Sequence, residues 1–84
     1  MNPHVAIVKP LENFELLLTF TSGEQRIFDA KPYLDKGVFK RLREKNCFMG
    51  ARVVSGSVEW PGEIDLSYDT LYLESQPFSS QIAA

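Results

Sequence analysis

The sequence contains one histidine and one cysteine, side chains that can serve as a base, a nucleophile or a metal ligand. They are His4 and Cys47, and each is the only residue of its kind. A single histidine excludes a metal site with two histidine ligands, and a single cysteine excludes an internal disulfide and a four-cysteine zinc site. Cooperation between His4 and Cys47 would require the start of the chain to approach a loop that we expect to be packed. We therefore interpret both residues as structural or solvated.

Acidic residues form a second group with chemical potential. Glu63, Asp65 and Asp69 follow Glu59 within a short stretch. Positions 63 and 65 would share one face of a strand, where two carboxylates could chelate a hard cation or act in acid–base chemistry. No glycine-bracketed calcium-loop spacing accompanies them. We favour a solvated acidic edge, with Asp69 in the first turn of a helix, and keep a carboxylate-based metal binder or enzyme as an alternative.

A basic segment offers a third possibility. Its four cations are Lys40, Arg41, Arg43 and Lys45. They could bind phosphate groups or an acidic protein, although such residues often only solvate the outer face of an amphipathic helix. The second helix that a helix-turn-helix reader requires is missing, as are phosphate-loop, dinucleotide-binding and nucleophile-elbow motifs. Trp60 is a further candidate, either as an anchor for a partner or as part of the core.

The composition places these residues on one small folded domain. The chain has 84 residues, of which 44% are hydrophobic and 24% charged, so it is neither disordered nor long enough for two cores. We expect a single domain over residues 1–76 and a disordered tail over residues 77–84. The net charge of −2 is unevenly distributed: residues 36–52 hold six basic and one acidic side chain, and residues 53–84 hold five acidic side chains and no basic one.

The hydrophobic patterns predict an α+β fold. Residues 5–8 are apolar and mostly β-branched, and residues 14–20 carry apolar side chains at every even position, a period of two that indicates a half-buried strand. A turn ending in Gly23 leads to a third strand over residues 24–28, which completes an antiparallel three-stranded meander. One amphipathic helix over residues 38–45, a short second hairpin over residues 51–60 and a short C-terminal helix over residues 68–75 follow.

The ends of these elements and the compartment can also be predicted. Pro61 and Gly62 suit the two central positions of a type II turn, and Ser67 suits the N-cap of the last helix. The longest aliphatic run, Leu16 to Leu18, is too short to cross a membrane, and no signal peptide precedes it. We expect a cytoplasmic protein without a cofactor.

Several stretches resemble one bacterial family. The run from Phe20 to Asp29 follows a pattern F-x-x-G-x-x-R-x-F-D, and Gly37-Val38-Phe39, Leu42 and Phe48 come next. The most specific part runs from Val58 through Trp60-Pro61-Gly62 to Leu66, with Asp69, Leu71 and Tyr72. In order and spacing these residues resemble the family called domain of unknown function 2442, over residues 5–73. Tyr68 stands where many members carry proline, which is common in a first helical turn.

The resemblance implies a small α+β domain for which no enzymatic activity is established. Stand-alone members are discussed as partners of a small neighbouring protein in toxin–antitoxin pairs, and other members precede a helix-turn-helix, which this chain lacks. Our leading hypothesis is a non-catalytic protein–protein interaction module, either with such a partner or with a second copy. The candidate contact residues are the four basic residues Lys40, Arg41, Arg43 and Lys45, Trp60, and the three acidic residues Glu63, Asp65 and Asp69, which we call the late acids. A nucleic-acid-associated regulatory module that uses residues 40–45 is the alternative.

Overall fold

The computed structural model describes residues 2–78. It confirms the α+β class with seven strands, two 3₁₀ helices and two short α-helices in this part of the chain. The strands are β1 (Val5–Pro10), β2 (Glu15–Phe20), β3 (Gln25–Asp29), β4 (Arg52–Val54), β5 (Ser57–Trp60), β6 (Ile64–Leu66) and β7 (Gln76–Pro77). The 3₁₀ helices are Lys31–Tyr33 and Gly37–Arg43, and the α-helices are α1 (Lys45–Phe48) and α2 (Tyr68–Glu74).

The first sheet contains the predicted antiparallel meander and one additional strand. Its order is β1-β2-β3-β7, and β2 pairs with both β1 and β3. The alternation in β2 works as predicted, because Leu16, Leu18 and Phe20 are buried on one face. Gly23 adopts a φ of 91° in the β2–β3 turn, a left-handed conformation that glycine reaches without steric cost.

Strand β7 lies where a disordered tail was predicted to begin. Pro77 pairs with Arg26, and the backbone N–H of Phe78 donates to the carbonyl of Gln25 with an N···O distance of 3.0 Å. Proline is tolerated here because β7 is an edge strand and its missing N–H breaks no ladder in the interior of the sheet. The rest of the predicted tail, residues 79–84, lies outside the described residues.

The amphipathic helix predicted over residues 38–45 is confirmed only in part. A 3₁₀ helix occupies Gly37–Arg43, and Glu44, with a ψ of 115°, separates it from α1. About three residues complete a 3₁₀ turn, so Phe39 and Leu42 share the side that faces the core. Val38 lies off that side of the helix and is 56% exposed. No side chain caps the start of this helix.

The predicted second hairpin is part of a three-stranded sheet. Its order is β4-β5-β6, with Ser55 and Gly56 at positive φ in the first turn. Gly62, at a φ of 95°, provides the positive φ that the predicted turn before β6 requires. The backbone N–H of Val5 donates to the carbonyl of Gly56 at 2.8 Å, which joins the two sheets. Ser67 caps α2 as predicted, accepting from the Thr70 N–H at 3.3 Å.

The core lies between the two sheets and is closed by the helices. Its largest members are Trp60, Phe20, Phe28, Phe48, Leu16, Leu18, Leu42, Ile64, Leu71 and Val58. Both sheets therefore use one face for the core. Residues 2–78 enclose no pocket, and no helix among them is long and apolar enough to cross a bilayer.

Candidate functional site

The four predicted basic contact residues are all exposed, but they lie on more than one side of the chain. With about three residues per turn, Lys40 and Arg43 share one side of the second 3₁₀ helix, and Val38 and Arg41 share another. Lys45 follows in α1. The short helix therefore presents cations on both of its solvent-facing sides while its third side packs on the core.

Two of the four cations are matched to acidic side chains. Arg43 forms an ion pair with Asp35, and its Nε donates to the carbonyl of Leu34 at 3.0 Å. Lys45 lies 3.9 Å from a carboxylate oxygen of Glu12. These contacts hold the loop before the 3₁₀ helix and the β1–β2 connection. Arg43 and Lys45 thus have local structural partners.

The other two cations, together with Lys36, form an exposed charged surface. Lys40 makes no ion pair within residues 2–78. Arg41 lies against the β5–β6 turn, where a Cβ built on Gly62 would come within 2.5 Å of its Nη1. Lys36, just before the helix, lies 5.6 Å from the centre of the Tyr33 ring. We call the surface formed by Lys36, Val38, Lys40 and Arg41 the basic surface.

The late acids are not brought together. Glu63 lies in the turn before β6 at a φ of 63°, so it does not share a strand face with Asp65 as predicted. Asp65 lies opposite Glu59 across β5 and β6. Asp69, in α2, accepts a hydrogen bond from Asn2 Nδ2 at 3.0 Å. Within residues 2–78 no three acidic, histidine or cysteine side chains are placed to hold a metal ion.

Trp60 is not available as a surface anchor. Its side chain is fully buried, and its indole N–H donates to the carbonyl of Phe48 at 2.9 Å. The two rings also pack with their centroids 6.0 Å apart. The alternation of β5 turns Val58 and Trp60 inwards and leaves Glu59 outside. Trp60 therefore belongs to the core, which corrects its inclusion among the contact residues.

His4 and Cys47 lie in different surroundings. The imidazole of His4 packs on the ring of Tyr68, with centroids 4.0 Å apart, and lies close to Gly56. Cys47 is partly buried and packs on the core from α1. The first contact joins the start of the chain to α2, and the second belongs to the interior of the fold. Both placements agree with the structural interpretation.

Sequence reasoning missed a polar cluster that Arg26 organises. Arg26 lies opposite Leu18 and so on the core face of β3, and its side chain is only 14% exposed. Its Nε donates to Ser75 Oγ and its Nη2 to the Ser75 carbonyl, both at 2.7 Å. Its Nη1 donates to Glu24 at 2.8 Å, and the guanidinium carbon lies 4.5 Å from the centre of the Tyr72 ring. We call these four residues the Arg26 cluster.

Hydrogen bonds within the Arg26 cluster shift the pKa values of two of its members, Glu24 and Tyr72, in opposite directions. The phenol of Tyr72 donates to Glu24 at 2.8 Å. This hydrogen bond, followed by the one from Arg26, lowers the pKa of the Glu24 carboxyl below its ordinary value. The hydrogen bond to the charged carboxylate, with partial burial, raises the pKa of Tyr72. The cluster is fully satisfied, and it fixes the end of α2 and the start of β7 to β3.

The sequence did contain a signal for this cluster. An arginine at an inward position of an alternating strand must find hydrogen-bonding partners, because an unpaired buried charge is costly. The arginine of the motif between Phe20 and Asp29 is Arg26, and Tyr72 closes the most specific stretch of the resemblance. The two stretches therefore meet in space through one guanidinium.

Comparison with known proteins supplies the family. A family model described as "Protein of unknown function (DUF2442)" matches residues 5–77 of the 84-residue chain. Comparison with curated proteins gave no match. Comparison with solved structures gave none either. Because the match covers nearly the whole chain, the protein belongs to the domain of unknown function 2442 family, as the sequence resemblance predicted.

Proposed function

We propose that the protein is a non-catalytic protein–protein interaction module that binds an acidic segment of a partner through the basic surface. The supporting observation is which cations on and beside the second 3₁₀ helix form ion pairs and which do not. Those of the basic surface make no ion pair within residues 2–78, whereas Arg43 and Lys45 beside them are matched to local acids. Exposed cations without an acidic partner in this part of the chain remain available to pair with the carboxylates of a partner.

The shape of this surface suits a protein segment. Val38 contributes an exposed apolar side chain between the cations, so a partner can combine charge pairing with burial of apolar area. The 3₁₀ helix is anchored from below by Leu42 and from the side by the contact of Arg41 with Gly62, so the cations start from a fixed backbone. A pre-ordered surface loses less conformational entropy on binding.

The partner that we propose is a small protein encoded beside this one, with this chain in an antitoxin-like role in the cytoplasm. This part of the proposal follows what the family resemblance implies. Complementary charge would raise the association rate and make it dependent on ionic strength. We therefore expect an acidic patch or tail on the partner.

The test is co-expression with the adjacent gene product, followed by calorimetric titration of the purified pair at about 50 and about 300 mM NaCl. We expect binding that weakens at the higher salt concentration. The variant Lys40→Glu should weaken it at least about tenfold, since it both removes a favourable charge and adds a repulsive one. Lys9→Glu, an equal charge change at an exposed position of β1, is the matched control and should have little effect.

A nucleic acid is the alternative ligand for the same cations. At most three phosphates would be neutralised, so log K should fall against log salt with a slope no steeper than about −3. Fluorescence anisotropy with a duplex of about 20 base pairs tests this possibility directly. Duplex binding that Lys40→Glu abolishes and Lys9→Glu preserves, with no binding of the adjacent gene product, would replace the protein-partner proposal.

A further inference from the structure

Arg41 differs from the other three arginines of the chain in its surroundings. Each of the others donates a hydrogen bond to a carboxylate of this chain: Arg26 to Glu24, Arg43 to Asp35 and Arg52 to Glu59. Arg41 forms no ion pair within residues 2–78. Its guanidinium is therefore the one of the four that has no carboxylate partner in the described chain.

The side chain of Arg41 lies across the β5–β6 turn. A Cβ built on Gly62 would lie 2.5 Å from Nη1 of Arg41 and 3.8 Å from its Cζ, so the guanidinium occupies the space that the Cβ of another residue would need. Glu63, the next residue of the turn, forms no ion pair in the described part of the chain. Gly62 thus provides both the φ of 95° and the room for Arg41.

The turn is itself held to the segment that carries this arginine. The indole N–H of Trp60 donates to the carbonyl of Phe48 at 2.9 Å. The ring of Pro61 packs on Gly50, where an added Cβ would lie 3.3 Å from the proline Cδ. With the glycine contact, three successive residues of the chain touch residues 41–50. The turn and the 3₁₀ helix therefore form one support for the guanidinium.

We propose that Arg41 is the residue of the basic surface that determines specificity, and that its guanidinium fork binds a carboxylate side chain of the partner's acidic segment. This inference rests on the proposed function, because it names the contact through which the basic surface recognises that segment. The planar fork donates two parallel hydrogen bonds to the two oxygens of a carboxylate, whereas a lysine ammonium acts as a point charge. Because the guanidinium is placed before binding, less rotamer freedom is lost when the carboxylate arrives.

The neighbours of Arg41 indicate the composition of the segment. Val38 lies three residues earlier on the same side of the 3₁₀ helix and is 56% exposed. Lys40, the preceding residue, is also exposed and adds to the positive potential that attracts an anion. An acidic residue with an apolar neighbour can use both the guanidinium and the valine, whereas a phosphate backbone offers nothing to the valine. We therefore expect a segment in which acidic and apolar residues are mixed.

NMR titration of the isotope-labelled full chain with a capped octapeptide that contains glutamate and leucine tests this contact, at about 50 mM NaCl. We expect the guanidinium N–H signals of Arg41 to shift and those of Arg43 to stay unchanged. Arg41→Lys keeps the charge and loses the fork, so it should weaken peptide binding at least about fivefold. Arg43→Lys, the same change on the other solvent-facing side of the helix, is the matched control and should have little effect.

A second variant separates the space at Gly62 from its backbone conformation. Asparagine tolerates a positive φ, so Gly62→Asn keeps the turn, and its Cβ displaces only the flexible end of Arg41. It should weaken peptide binding about as much as Arg41→Lys does. The double variant should bind no more weakly than either single variant, because both changes remove the same contact. Additive losses would show that Gly62 does not act through Arg41, which contradicts the proposal.

The remaining outcomes also overturn the proposal. Equal affinity of wild type and Arg41→Lys for the peptide would reduce Arg41 to a point charge, and no binding at about 5 mM peptide would show that the contact does not form. Tighter binding of the same peptide with phosphoserine in place of glutamate would assign the fork to phosphate groups. If Lys40→Glu weakens binding of the adjacent gene product and Arg41→Lys does not, this inference fails while the proposed function stands. If neither variant weakens that binding, the proposed function fails as well.

Discussion

Replacing Arg26 with lysine keeps the positive charge on the core side of β3 and removes the guanidinium fork. In the Arg26 cluster, Nε and Nη2 hold the hydroxyl and the carbonyl of Ser75, and Nη1 holds Glu24. A lysine ammonium is a compact donor on a flexible stem, and it cannot reproduce the planar fork. Arg26→Lys therefore separates the geometry of the cluster from its charge.

The expected loss in the free energy of unfolding follows from counting these hydrogen bonds. If lysine keeps one of the three, two hydrogen bonds are lost at about 1 kcal/mol each, so the free energy of unfolding should fall by about 2 kcal/mol. Ser75, which is buried, bears most of this loss because its hydroxyl and carbonyl lose their donor. For a domain of this length the total is about 4–12 kcal/mol, so the change is large.

Urea unfolding monitored by the fluorescence of Trp60, the only tryptophan and fully buried, measures the difference. Thermal unfolding should show a decrease in Tm of about 10 °C. Arg52→Lys is the matched control, because Arg52 pairs with Glu59 at 3.2 Å in an exposed position and its loss should cost less than about 0.5 kcal/mol. Equal effects of the two variants would refute the reasoning, since the cluster would then contribute no more than a surface pair.

Three further predictions concern titration and packing. Burial and the hydrogen bond to Glu74 raise the pKa of Tyr33 from its ordinary value of 10.0 to about 12. The contribution of this group to stability is therefore fully present below pH 10 and is lost as pH rises through about 12. The Tm advantage of wild type over Tyr33→Phe should shrink between these two pH values. The pKa of Glu24 is lowered, chiefly by the hydrogen bond from Tyr72, so its contribution is present above the ordinary value of 4.5 and is lost as pH falls; the advantage over Glu24→Gln should shrink on acidification, and a constant difference would contradict it. Trp60→Phe removes the hydrogen bond to Phe48 and leaves a cavity, so urea unfolding followed by circular dichroism should show a loss of about 2–3 kcal/mol.

The parts of the fold that the sequence predicts well are those in which hydrophobic period and turn chemistry agree. In β2 the alternation identifies Leu16, Leu18 and Phe20 as core residues, and all three are buried. The Ser67 cap defines where α2 begins, and the helix starts at Tyr68 as predicted and ends one residue earlier. In each case the local pattern and the tertiary environment require the same conformation.

The parts that could not be predicted depend on contacts between distant residues. Strand β7 has only two residues, one of them Pro77, and exists because β3 offers it an edge. The spacing of Phe39 and Leu42 fits a 3₁₀ helix as well as an α-helix, so packing and not periodicity decides the winding. For the candidate site, the exposure of Lys40 was predictable, whereas the pairing of Arg43 with Asp35 required the fold.

The link between Arg26 and Ser75 also bears on how the chain folds during synthesis. These residues are 49 positions apart, so at typical elongation rates the ribosome adds Ser75 roughly 2–10 s after Arg26. Until then the nascent meander holds a guanidinium on its inner side with no carbonyl to accept from it. The inner side of the meander therefore reaches its final packing only after the residues around Ser75 have been synthesised.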